Sequence, residues 1–111
     1  MKNWGLRDLK IEYKETYFDD LDDIEQYITT CFSAGLARKI VGEIFAGCQI
    51  LADQPLIGKP YPRNKYYNYF IVKRKNLVFY HIDDEQGTVT LHRIFDSRRD
   101  YIEAVSMIPE E

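Results

Sequence analysis

The chain changes its hydrophobic period near residue 55: over about residues 17–51 apolar residues recur at three- and four-residue steps, and downstream they alternate. A helical stripe and a strand cannot trade places without exposing their apolar faces, so this switch places helices before the main run of strands. Tyr17, Leu21, Ile24 and Ile28 form one helical stripe, opposite Asp19, Asp20, Asp22, Asp23 and Glu25. Thr16 with Asp19 three positions on reads as a capping-box start. The carboxylates read as capping and solvation near the positive end of the helix. Ser33 can cap a second helix over residues 34–52. Its stripe is Leu36, Ile40, Ile44, Cys48 and Leu51, widened by Ala37, Val41 and Phe45. Asp53, Gln54 and Pro55 end it, and Pro55, Gly58, Pro60 and Pro62 punctuate the principal loop.

A short strand over residues 9–13 precedes the helices, with Leu9, Ile11 and Tyr13 on one face. After the loop, residues 67–72, 77–82 and 88–95 read as three strands joined by the turns KRKN and DDEQG. Strict alternation puts Val89, Leu91, Arg93 and Phe95 together and sends His92 to the opposite side. Asp96 and Ser97 can start a short final helix over about residues 98–107, or the tail can add an edge strand. The order β-α-α-β-β-β plus a tail predicts an α+β fold, with a helix hairpin packed on one face of a small antiparallel sheet and the other face partly open. A length of 111 residues fits one domain over residues 1–111.

Charge is uneven. Residues 1–58 hold six basic and ten acidic side chains, whereas residues 59–101 hold nine basic and five acidic, within a net charge of −3. Lys59, Arg63, Lys65, Lys73, Arg74 and Lys75 are interleaved with Tyr61, Tyr66, Tyr67 and Tyr69, with no acidic residue between Lys59 and Lys75. Cations beside exposed aromatics suit phosphate contacts plus base stacking. Tyrosines on a sheet suit a protein interface equally well. The two cysteines, Cys31 and Cys48, are far apart, and no signal-peptide or membrane-spanning run is present, so a cytoplasmic location is expected. No phosphate-binding loop, dinucleotide fingerprint, zinc-protease helix or nucleophile elbow occurs, and no cofactor is implied. His81 and His92 can face each other across adjacent strands, but no third ligand accompanies them, so a metal site is not expected.

The helix-ending ADQPLIGKP, the meander YYNYFIVKRKNLVFYHI and the closing LHRIFDSRRDY, in this order after a strand and a helix hairpin, resemble the RelE/ParE superfamily of toxins from bacterial type II toxin-antitoxin modules. The resemblance covers about residues 9–101. It implies a cognate antitoxin partner and a heteromeric toxin-antitoxin complex. ParE-like members inhibit DNA gyrase without an accepted hydrolytic centre, and HRIFDSRRD is more similar to their ending. On that reading Arg63, Lys65, Arg93, Arg98 and Arg99 contact the target. RelE-like members instead cut messenger RNA in the ribosomal A site, a reading that implies catalytic roles for Arg93, Tyr101, Arg74 and Lys73. Against it, KPYPR lacks the glutamate of one ribonuclease subgroup, SRRDY replaces that subgroup's His-Tyr ending, and net negative charge opposes steering to ribosomal RNA. A small non-catalytic interaction domain is the remaining alternative.

Overall fold

The computed structural model describes residues 9–73 and 75–96. In chain order the elements are β1 (Lys10–Tyr13), α1 (Glu15–Cys31), α2 (Ala34–Cys48), α3 (Ile50–Asp53), β2 (Lys59–Pro60), β3 (Asn68–Val72), β4 (Asn76–Asp83) and β5 (Thr88–Asp96). This is the expected α+β architecture, with two short additions. β2, only two residues long, emerges from the loop to pair with β3, and Gln49 separates α3 from α2 where the stripe predicts one continuous helix. The sheet order is β1-β5-β4-β3-β2. Strands β2 to β5 pair antiparallel, while β1 lies parallel to β5, with Lys10 opposite Thr88 and Tyr13 opposite Leu91.

The helix hairpin packs on one face of this sheet because the stripes meet there. Tyr17, Ile24 and Ile28 of α1, with Ala37, Ile44 and Cys48 of α2, enclose Val72, Val78, Tyr80, Val89, Leu91 and Ile94. Ile44, Cys48 and Leu51 are completely buried, but Leu36, expected in the same core, is 36% exposed because it lines an open groove with Tyr27, Phe32 and Asn76 instead of packing into the core. Ser33 caps α2 as expected, its hydroxyl accepting from the Leu36 amide at 3.0 Å. Thr16 does not cap α1. Lys14 holds the N-cap position without a side-chain bond, and the Thr16 hydroxyl donates to the His92 carbonyl at 2.7 Å.

The opposite sheet face is half covered. Tyr61, in the segment between β2 and β3, packs with Leu77, Phe79 and Phe95, and Tyr67 and Tyr69 lie against them. Gly58 makes the close approach of that loop possible: a Cβ there would strike the Tyr69 carbonyl and come within 2.7 Å of the Tyr80 hydroxyl. The Tyr80 hydroxyl in turn donates to the Pro55 carbonyl at 2.7 Å, tying the loop to the central strand.

Candidate functional site

The open face is shaped by one irregularity. Phe79 pairs with Arg93 but Tyr80 pairs with Leu91, so β5 carries His92 as an extra residue opposite β4. Such a β-bulge resets the alternation of the strand. Val89, Leu91 and Ile94 therefore all reach the helix side, while Arg93 and Phe95 belong to the other face. His92 joins them there instead of pointing away from Arg93, as strict alternation predicts: its ring lies 5.0 Å from that of His81 and 5.1 Å from that of Tyr67.

Tyr66, His81 and His92 form a hydrogen-bonded chain. The Tyr66 hydroxyl and His81 Nε2 are 3.1 Å apart, and His81 Nδ1 and His92 Nε2 are 2.8 Å apart. For two neutral imidazoles one nitrogen of the shared contact donates and the other accepts, so the tautomers are linked along the chain. Burial pushes His92 down to about 4, assisted by His81 and Lys14. His81 is lowered mainly by burial as well, against a raising influence from Asp83. Burial, then Tyr67 and Asp83, raise Tyr66. The Tyr66 ring stacks on His81 with centroids 4.5 Å apart and 27° between planes, yet the residue remains 55% exposed. Beside His81 opens a polar cleft of about 540 Å³ lined by residues that include Glu12, Lys14, Asp83 and Thr90.

Arg93 is held differently. Its Nε and Nη2 donate to the two carboxylate oxygens of Asp20 at 2.7 and 2.9 Å, and its guanidinium carbon lies 4.8 Å from the centre of the Phe95 ring. Asp20 also accepts from the Ile94 amide at 3.1 Å. Asp20 follows Thr16 by one helical turn, so both meet the edge of β5 just where β1 stops. Asp20 is therefore a buried structural anion, not one of the solvated carboxylates that its acidic neighbours suggested. The bond to Asp20 raises Arg93 above its ordinary value and keeps it cationic. Sequence reasoning missed this pairing because 73 residues separate the partners.

The structure divides the other expected site residues. Arg63 and Lys65 are exposed in the segment carrying Tyr66, near His81. Lys73 lies at the far end of β3, about 13 Å of strand away. It has a positive φ of 57° and sits 3.9 Å from Glu43. Arg74, Arg98, Arg99 and Tyr101, with the final helix expected over residues 98–107, lie outside the described residues. On the helix side of the sheet a separate groove of about 440 Å³ runs between Tyr27, Phe32, Leu36 and Asn76. Among the described residues no group of three His, Cys, Asp or Glu side chains is placed to hold a metal ion, and no helix is long and apolar enough to cross a membrane.

Residues 11–101 match the family model described as the ParE toxin of the type II toxin-antitoxin system parDE. Fifteen solved chains match the fold. One, from the chromosomal ParDE toxin-antitoxin system of P. aeruginosa, superposes with a TM-score of 0.71 at 15% identity, covering 79% of this chain and 95% of its own. A chain of the RelBE2 toxin-antitoxin complex from Mycobacterium tuberculosis gives 0.57 at 22% identity, with coverages of 80% and 98%. A conserved hypothetical protein from Helicobacter pylori gives 0.52 at 17% identity, with coverages of 81% and 96%. No curated protein sequence matches.

Proposed function

The chain belongs to the ParE toxin family of type II toxin-antitoxin modules, and from that premise we propose that it arrests growth by binding and inhibiting DNA gyrase, held in check by a cognate antitoxin. The observation that carries this reading is the state of Arg93. The arginine that a nuclease needs to stabilise phosphorane charge has two of its donors committed to Asp20 and lies over Phe95. Moving it onto a substrate would leave a buried carboxylate without its partner. Among the described residues, the groups of the open face that could transfer a proton are poorly tuned, since His92 lies near 4, His81 is lowered and Tyr66 is raised, whereas a general acid or base works best near the ambient pH. A protein inhibitor needs neither group to titrate. Arg63 and Lys65 on the open face, with Arg98 and Arg99 in the tail, are the proposed target contacts.

The test is DNA supercoiling by purified gyrase with increasing amounts of the full-length protein, in parallel with primer extension on ribosome-bound messenger RNA. Loss of supercoiling with intact message is the expected result. Full supercoiling with message cut in the A site would overturn the reading. The ribonuclease alternative draws its support from the Tyr66, His81 and His92 chain, which links tautomers over two hydrogen bonds. It would assign substrate contacts to Lys73, Arg74 and Tyr101.

A further inference from the structure

We infer that Tyr66 is a fixed stacking platform for an unpaired nucleobase, with Lys59, Arg63 and Lys65 placed around it for the phosphates of a single strand. This goes beyond gyrase inhibition and does not depend on it. The first support is rigidity. Tyr66 sits in a segment closed by its own backbone: the Tyr61 amide donates to the Tyr67 carbonyl at 2.9 Å, the Asn64 amide to the Tyr61 carbonyl at 3.3 Å, and the Tyr67 amide to the Asn64 carbonyl at 3.1 Å. The Tyr66 amide donates to Asn64 Oδ1 at 3.0 Å. The side chain is fixed as well, its hydroxyl bonded to His81, one ring face on the His81 ring, and the Tyr67 ring at right angles with centroids 4.9 Å apart. Ordering a large aromatic at the surface costs rotamer entropy. Here that cost is met before any ligand arrives, and 55% of the residue stays open to solvent.

The second support is the chemistry around the ring. Every base has a π-face, so an exposed aromatic takes unpaired bases with little regard for sequence, while neighbouring cations follow the phosphates. Arg63 and Lys65 lie within three residues of Tyr66 and are exposed. Lys59 is opposite Tyr69 in the β2–β3 ladder, which sets it on the same sheet face. No acidic residue occurs between Lys59 and Lys75. Asp83, within electrostatic reach of Tyr66, lies at the end of β4. It repels phosphate from that side and so favours a strand path toward Arg63 and Lys65. Inside a duplex both faces of every base are already stacked and only the two terminal pairs expose one, so the platform favours single strands over duplexes.

The experiment is fluorescence anisotropy of a labelled ten-nucleotide oligothymidylate, against a blunt duplex of equal length, with the full-length protein at low salt. Tighter binding of the single strand is expected. Tyr66→Ala should weaken it about tenfold or more, whereas Tyr66→Phe, which keeps the ring, should stay within about threefold of the parent. Arg63→Ala should weaken both nucleic acids and flatten the salt dependence. No binding of the single strand, equal binding of the duplex, or full binding by a folded Tyr66→Ala would overturn the inference. Should Tyr66→Ala fail to fold, NMR of the parent decides. Upfield shifts of the Tyr66 ring protons on adding the oligonucleotide are expected, and unmoved resonances at saturation would overturn the assignment.

Discussion

At the residue scale, Asp20 and Arg93 are costlier to part than an exposed ion pair, because little water is there to replace either partner. Their side chains are 11% and 22% exposed. Asp20→Ala strands a cation and frees the Ile94 amide at once, and should cost about 2–4 kcal/mol in urea unfolding, short of the full cost of breaking a wholly buried pair. His92 gives a pH dependence of definite sign. Its folded value of about 4 lies below the ordinary 6.5, so the unfolded chain binds the proton more readily. Its contribution is complete above about 6.5 and is lost as pH falls toward about 4. The groups facing the His81–His92 pair are Lys14 from the β1 side, Asp83 from β4, and Tyr66 and Tyr67 from the loop. Unfolding midpoints measured at pH 7.5 and pH 5 should therefore fall less for His92→Gln than for the parent, and an equal fall in both would exclude His92 as the source.

At the element scale, the completely buried Ile44 should cost about 2–5 kcal/mol as alanine, whereas the exposed Leu36 on the same stripe should cost less than about 1 kcal/mol. Comparison of the two variants by chemical denaturation tests whether the sheet, and not the stripe alone, decides burial. The contrast shows how far the sequence could be read. Periodicity placed α1, α2 and the three long strands because each repeats one spacing over several residues. It could not place β2, which has only two residues, nor the bulge, since counting by twos assumes one residue per ladder position. The error at His92 then propagated: it separated His92 from Arg93, which share a face, and grouped Arg93 with Val89 and Leu91, which do not. Asp20 was hidden for another reason. Its four acidic neighbours share its composition, and only the position where β1 ends singles it out. The stacked Tyr66 was legible only as one member of a tyrosine-rich run.

At the scale of the whole molecule, the sheet has a protected centre and short margins. β4 is flanked on both sides and its residues Asn76 to Tyr80 are buried, while β2 contributes two exposed residues. Hydrogen exchange should accordingly be slowest in β4 and the adjoining part of β5, and fastest in β2. A uniform protection pattern would show that the sheet opens only as a unit. The placement of β1 beside β5 also has a consequence in time. Lys10 meets Thr88, so 78 residues separate this first strand from its partner. At about 5–20 residues per second a growing chain spends roughly 4–16 s with β1 made and β5 still unwritten. The Asp20 to Arg93 pair and the Thr16 contact wait for the same strand. During synthesis, then, the growing chain waits with an incomplete sheet, and the described toxin surface comes into being only as β5 is delivered.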